Sequence, residues 1–243
     1  MGGRKDLKIL LLQIRDNHNV RIEEHKSFAN FSKLGLHQIE ILNVFDTPSF
    51  KTNLLDSFDA LYVGGASEAS VLEPEKYPFI NNCIELLRYA AEISKPTFAS
   101  CFGFQLAVLA FGGVILNKDK DYEMGTVKIS LANKAKSDLV YQGIEDRFPA
   151  VSVHRQYAST IPEPLEALAF TEQCIHSFKY KNKPLWAFQF HPEVDRDTLV
   201  KRLTIFSRHY TANAEHLKEV LGSAVETPES NILLGNFVER VLL

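Results

Sequence analysis

The sequence predicts an α/β fold: a mostly parallel central sheet flanked by helices, with antiparallel strands added to it. Three observations carry that prediction. Short apolar runs alternate with amphipathic stretches over the first half of the chain. One of those runs breaks at a cysteine and continues directly into helix-forming residues. From residue 114 to residue 190 the chain changes to closely spaced β-rich pieces separated by turn residues. With 243 residues, 45% of them hydrophobic and 23% charged, one large core can form without splitting. No internal repeat or Gly/Ser linker interrupts it, so residues 1–209 are expected to form one α/β domain and 210–243 a helical extension packed on the same domain.

Leu7–Ile14 is a short apolar run without helical period, which reads as a buried strand. Residues 22–35 space Ile22, Phe28, Phe31 and Leu34 between charges, and Gly35 marks the expected stop of an amphipathic helix. Ile39–Phe45 and Asp59–Val63 read as the next strands, the second running into Gly64-Gly65. From Glu75 to Ser94, Ile80, Ile84, Leu87, Ala90 and Ala91 recur at helical spacing, and Pro96 closes the connection to the strand that carries the cysteine. Gly112-Gly113 ends the helix that follows. The β-rich pieces come next: Val114–Leu116, Thr126–Leu131, Ala167–Thr171, Cys174–Tyr180 and Leu185–Phe190. Helical signals return over Asp195–Tyr210, and two more helices are expected beyond it, joined near Thr227-Pro228.

A net charge of −3 and a pI near 6.3 give no general attraction to phosphate backbones or anionic lipid, so neither nucleic acid nor a membrane is the expected partner. The N-terminus is polar and the apolar run behind it is too short for a signal or a span, so the mature protein is expected to begin near residue 1. Cys83, Cys101 and Cys174 are odd in number and form no C-x-x-C pair, which argues for a reducing cytoplasm and against a disulfide framework or a structural zinc site. No His, Cys and carboxylate cluster at ligand spacing points to a metal, and neither metal nor cofactor is expected.

The chemistry concentrates at Cys101. A strand that turns sharply into a helix lifts a nucleophile above the sheet edge, and a helix N-terminus together with an imidazolium favours the thiolate. Gly103 suits the close backbone approach such a turn demands. Far downstream, Phe188-Gln189-Phe190-His191-Pro192-Glu193 is another apolar strand ending in a base and an acid. Two residues apart in extended chain, Glu193 and His191 project to the same side, so the carboxylate can hold the imidazole in one tautomer. Thiol, imidazole and acid are the parts acyl transfer needs. Gly64-Gly65-Ala66-Ser67 follows a strand and can aim one N–H at a developing oxyanion, with the N–H of Phe102 as the second donor. Cys83, inside a helix, and Cys174, in a strand, read as buried structural thiols.

With these residues the chain resembles the class I, triad-type glutamine amidotransferases over residues 7–209. Ala99-Ser100-Cys101-Phe102-Gly103-Phe104-Gln105 stands for the family's G-x-C-x-G-x-Q, His191-Pro192-Glu193 for H-P-E, and Gly64-Gly65-Ala66-Ser67 for a loop like G-G-P-x-S, in the family's order. Ala99 and Ala66 depart from the family's glycine and proline, but both are small. The resemblance implies a flavodoxin-like sheet, attack by Cys101 on the side-chain amide of glutamine, proton transfer by His191, orientation by Glu193, and oxyanion N–H groups from Gly65 and Phe102. Gln105 matches the residue that helps hold the amino-acid end of the substrate. Ser152–Gln156 resembles the segment that binds the glutamine amino and carboxylate groups, which makes Arg155 and Gln156 candidate substrate contacts. His154 and the Glu123-Met124-Gly125 element read as scaffold.

The resemblance implies a glutaminase that releases glutamate and ammonia. The chain carries no P-loop-like motif, so a synthase on a separate chain is the expected user of that ammonia, as in free-standing relatives of the amidotransferase half of GMP synthase. A γ-glutamyl peptidase or hydrolase acting on γ-glutamyl peptides or amines is the alternative enzyme, with the same acyl intermediate. A catalytically silent binding or regulatory protein on the same fold is the alternative outside enzymes.

Overall fold

The computed structural model describes residues 3–206 and 214–243. One mostly parallel sheet organises them. Its parallel half is built from β2 (Ile39–Asn43), β1 (Ile9–Gln13), β3 (Ala60–Val63), β4 (Thr97–Ser100) and β11 (Leu185–Phe188), in that order across the sheet. This is the doubly wound order in which binding sites form beyond the carboxyl ends of the strands. Beyond β11 the sheet continues antiparallel through β10 (Ile175–Tyr180), β9 (Leu165–Phe170), β6 (Met124–Leu131) and β7 (Arg147–Val153). A separate ribbon pairs β5 (Leu116–Asn117) with β8 (Gln156–Tyr157).

Helices cover both faces, as a parallel sheet requires. On one side α2 (Phe79–Glu92) and α3 (Phe102–Ala110) pack with Leu10, Leu12, Leu61 and Val63. On the other, α1 (His18–Ser32) and α6 (Pro228–Phe237) enclose Ile9, Leu11, Tyr62, Phe98 and Phe188. Phe98 and Phe188 stack with ring centroids 4.4 Å apart, and Phe237 of α6 meets Phe98 edge-on at 5.5 Å. Each fully buried phenylalanine contributes about 1.5–3 kcal/mol, so α6 belongs to the core. A third apolar cluster joins β7 to α4 (Arg196–Ile205) and α5 (Ala214–Ser223) through Val151, Leu199, Leu203 and Val220. Among the described residues no helix is long and apolar enough to cross a membrane. The expected divide at 209/210 and the last residues of the helix expected over 195–210 lie outside the described residues.

Several boundaries differ from the sequence reading for local reasons. Helix α1 starts at His18 because the Asn17 side chain accepts from the N–H groups of Asn19 and Val20. It ends at Ser32, with Lys33 in the left-handed region (φ 56°), while Gly35 is extended and is not the cap. Ile22 is exposed, and Glu24 is buried on the helix's inner face instead. Helix α2 begins at Phe79, after a turn that holds Glu75–Pro78. Strand β7 departs from the sequence expectation because Pro149 lies inside it. It is an edge strand pairing only with β6, where a missing N–H is tolerated.

Candidate active site

Three neighbouring parallel strands deliver three motifs to one end of the sheet. β4 lies between β3 and β11, in registers that pair Val63 with Ala99 and Ser100 with Phe188. The residues just past those ends are Gly64-Gly65, Cys101 and the segment leading to His191. Strand order, rather than sequence proximity, therefore makes them neighbours.

Cys101 is the N-cap of α3, at φ 51° and ψ −100°. A side-chain-bearing residue held there stores about 1–3 kcal/mol of strain, so surrounding bonds must enforce the turn. The Cys101 N–H donates to Phe188 O at 2.7 Å, and the Gly103 N–H donates to Gly64 O at 3.2 Å. A Cβ on Gly103 would lie 2.8 Å from Val63 O and 2.9 Å from Val63 Cγ1, so only glycine permits α3 to approach β3 this closely. Phe102 is the first residue of α3, where an N–H has no intrahelical partner.

His191 and Glu193 are both buried, and His191 Nδ1 lies 2.7 Å from Glu193 Oε1. The His191 N–H donates to Val151 O, which ties this segment to β7. Burial lowers the affinity of the imidazole for a second proton. The charge of the Cys101 sulfur, the Glu193 carboxylate and hydrogen bonds to both outweigh it and push the His191 pKa up to about 9. For Glu193, burial favours the neutral acid, but His191 and Arg202 prevail and hold the carboxyl below its usual range. Gly65 sits between these groups: a Cβ there would lie 2.9 Å from His191 Cε1, 3.5 Å from Cys101 Cβ and 2.8 Å from Arg15 Nη2.

A cleft of about 210 Å³ opens beside Cys101 and Phe102. Gln105, Arg155 and Gln156 all border it. Gln105 Nε2 donates to Gln156 O at 3.0 Å, and the Gln156 side chain donates to Ser70 Oγ. The Arg155 guanidinium lies over the Tyr122 ring, 4.8 Å from its centroid. Cys101, Phe102, Gln105, Arg155 and Gln156 thus line one cleft, while Gly65 and His191 lie close beside Cys101 and Glu193 is buried behind His191.

Other groups that shape the site are not legible in the sequence. Arg15 and Glu24 form a buried ion pair at 2.8 Å, and Arg15 Nη1 also donates to Ser67 Oγ at 2.9 Å, bracing the Gly64–Ser67 loop from behind. Burial pushes the Glu24 carboxyl up in spite of Arg15. Asn231 of α6 donates from Nδ2 to Pro192 O and Val194 O, each at 2.9 Å, and so clamps the segment that carries His191 and Glu193. No local motif announces a side chain acting on carbonyls so far away in the chain.

Residues that show no ligand spacing along the sequence are brought together in the structure. Glu123, His154, Cys174 and His176, all buried, bring one ligand atom each to within 4.8 Å of one another. Glu123 Oε2 lies 3.0 Å from His154 Nε2, 2.7 Å from His176 Nε2 and 3.8 Å from Cys174 Sγ. Burial favours the neutral Glu123 acid, but both histidines hold its carboxyl far below the usual range. Burial likewise lowers His154 and pushes the Cys174 thiol up. Cys83 lies in the core with its thiol pushed up by burial, as expected of a structural cysteine.

Known proteins resemble the chain in sequence and in fold. The family model "Glutamine amidotransferase class-I" matches residues 25–205. A glutamine-hydrolyzing GMP synthase subunit from Methanococcus maripaludis strain C5 is 33% identical over 118 residues, 48% of this chain and 60% of that protein. The glutamine-hydrolyzing GMP synthase of Borrelia garinii subsp. bavariensis is 34% identical over 99 residues, 41% of this chain and 18% of that protein. The matches therefore span less than two thirds of either relative. A crystal structure of a glutamine amidotransferase from Thermotoga maritima shares the fold, with a TM-score of 0.76 at 17% identity, covering 97% of this chain and 98% of that one.

Proposed function

This chain belongs to the class I glutamine amidotransferase family, and from that premise we propose that it hydrolyses the side-chain amide of glutamine to glutamate and ammonia through a thioester on Cys101. The observation that carries the reading is the coincidence at one sheet end of a thiol on a strained elbow, a glycine loop and a buried imidazole–carboxylate pair.

In the proposed reaction Cys101 Sγ adds to the carboxamide carbon and the carbonyl electrons move onto oxygen. The N–H groups of Gly65 and Phe102 stabilise that oxyanion, each worth about 3 kcal/mol where such donors have been removed. The protonated His191 ring gives its proton to the departing nitrogen, and the C–N bond breaks to leave ammonia and the γ-glutamyl thioester. Water then attacks the thioester with His191 as base, releasing glutamate and the thiolate. Glu193 keeps the imidazole oriented and stabilises its positive charge. Gln105, Arg155 and Gln156 hold the amino-acid end of the substrate from the cleft rim. The ammonia passes to a synthase on a separate chain, and the reducing cytoplasm keeps the thiol free. Residues 1–209 carry the chemistry, with 210–243 as a helical extension on the same domain.

One observation favours a second reading. Arg155, an exposed residue, lines the cleft, where a cation suits the second carboxylate of a γ-glutamyl peptide. Purified protein assayed alone against glutamine and a panel of γ-glutamyl dipeptides separates the two. Glutaminase activity, or ammonia release stimulated by a synthase, supports the first. Dipeptide turnover with glutamine ignored replaces it with the hydrolase, and no turnover of either, even after adding a synthase, points to a silent binding protein.

A further inference from the structure

We propose that Glu123, His154, Cys174 and His176 form a binding site for one divalent cation of the zinc class, behind the wall of the substrate cleft and separate from Cys101. Zinc binds thiolate sulfur at about 2.3 Å and imidazole nitrogen or carboxylate oxygen at about 2.0–2.2 Å, so ligand atoms at the corners of its tetrahedron lie roughly 3.3–3.8 Å apart. Here the four ligand atoms already fall within 4.8 Å of one another. Glu123 Oε2 sits near the centre of the group, 2.7 Å from His176 Nε2 and 3.0 Å from His154 Nε2. Withdrawal of that carboxylate towards one corner opens the position a cation takes. The donor set of one sulfur, two imidazoles and one carboxylate suits zinc and cobalt and disfavours magnesium and calcium, which prefer all-oxygen cages.

Two further observations point to a ligand. Both ring nitrogens of His154 face acceptors: Nδ1 lies 3.1 Å from Gln156 O, and Nε2 lies 3.0 Å from Glu123 Oε2. A neutral imidazole has one N–H and satisfies only one of them. A cation at Nε2 resolves the conflict, leaving the Nδ1–H on the Gln156 carbonyl, the arrangement in which ligating histidines are commonly held. The second is that all four donor side chains are more than nine-tenths buried, so their polar atoms depend on one another or on a ligand for partners. An entry route exists too, because Glu123, His154 and Cys174 line a cleft of about 110 Å³ that also reaches Arg155.

The site would pin three separate pieces of chain: the residue before β6, the residue after β7, and the start of β10. His154 is adjacent to Arg155 and Gln156, so a cation here would fix the wall of the substrate cleft without touching the reacting atoms.

The full chain carrying Cys101→Ser, which removes the reactive thiol as a competing ligand, is titrated with Co²⁺ alone. The expected result is a thiolate-to-cobalt charge-transfer band and tetrahedral d–d bands that saturate at one equivalent, with a Kd below about 1 µM. Zn²⁺ should displace the cobalt and raise the melting temperature. Adding Cys174→Ser should abolish the charge-transfer band, and adding His176→Gln instead should weaken binding at least tenfold; circular dichroism checks that each variant is folded. If the folded Cys101→Ser protein lacks the band or binds more weakly than that limit, the cluster is a hydrogen-bonded scaffold only and the proposal fails. A band that survives both substitutions also overturns it. None of these readouts depends on glutamine hydrolysis.

Discussion

The N–H of Cys101 donates to the carbonyl oxygen of Phe188 at 2.7 Å, so the elbow and the strand leading to His191 are joined by a main-chain bond at the point where both leave the sheet. The strained conformation of Cys101 is thereby stabilised by the same pairing that brings the imidazole near its sulfur.

Cys101→Ala should reduce glutamine hydrolysis by at least ~10³-fold, because the remaining donors can bind substrate but form no thioester. Its melting temperature should stay close to that of the parent, since alanine keeps a Cβ at the same positive φ. Cys101→Gly should be equally inactive yet more stable than Cys101→Ala by roughly 1 kcal/mol, through release of backbone strain. Urea unfolding of the three proteins measures this, and equal stability of the alanine and glycine variants would remove the strain argument.

Gly103→Ala should destabilise the fold by about 1–3 kcal/mol and depress turnover, because the new methyl meets the Val63 carbonyl, which cannot rotate away. Ala107→Gly, farther along α3, should cost stability through helix propensity while leaving turnover nearly intact. A comparison of kcat with unfolding free energy separates the two.

The pH dependence follows from His191. Its pKa is raised to about 9, above the ordinary value near 6.5, so the imidazolium's contribution to stability is fully present below the ordinary value and is lost as pH rises through about 9. In the proposed reaction the same deprotonation removes the acid that serves the leaving nitrogen. Stability and kcat/KM are therefore expected to fall together on the alkaline side. In Glu193→Gln the imidazolium loses its anionic partner, so the alkaline limb should move to lower pH and kcat should fall roughly 10²- to 10⁴-fold. An alkaline limb that stays in place in this variant would contradict the coupling.

Glu24→Ala should cost about 3–5 kcal/mol, since it removes the carboxylate that pairs with the buried Arg15 guanidinium. Replacing both residues by apolar ones of similar volume should recover most of that loss. A double-mutant cycle from thermal unfolding reads the difference, and simple additivity would show that the pair is not coupled.

Asn231→Ala should lower kcat more than it changes KM, because Asn231 holds the Pro192 and Val194 carbonyls while lying outside the substrate cleft. The alkaline limb of the rate profile should shift as well, which a purely structural loss of stability would not produce. Asn231→Asp should fail to restore the parental profile, because a carboxylate cannot donate to either carbonyl.

The alternation of apolar runs and helices up to residue 110 is legible because each element buries a regular pattern of its own residues. The Cys101 elbow is legible because an apolar strand runs directly into helix-forming residues, whereas His191 and Glu193 meet through a turn closed by the Val194 N–H on His191 O, not along the extended chain that their spacing suggests. Asn17 sets the start of α1 as its cap, yet the periodic residues alone place that start later, at Ile22. Gly35 misleads because left-handed Lys33 has already closed the helix. Arg15, Glu24, Asn231 and the group around Glu123 escape for a different reason: their partners are set by which strands become neighbours, and single-chain periodicity carries no trace of that. Cys174-x-His176 is the one local hint, and it is too short to stand alone.

The position of β11 between β4 and β10 governs when the site can exist during biosynthesis. Its pairing with β4 joins parts of the chain lying on either side of all the antiparallel strands, a contact of long loop closure that forms late. A nascent chain emerging from the ribosome therefore displays the Cys101 thiol well before the imidazole of His191 arrives, so the proposed thioester chemistry has to wait until the chain beyond β11 has been made.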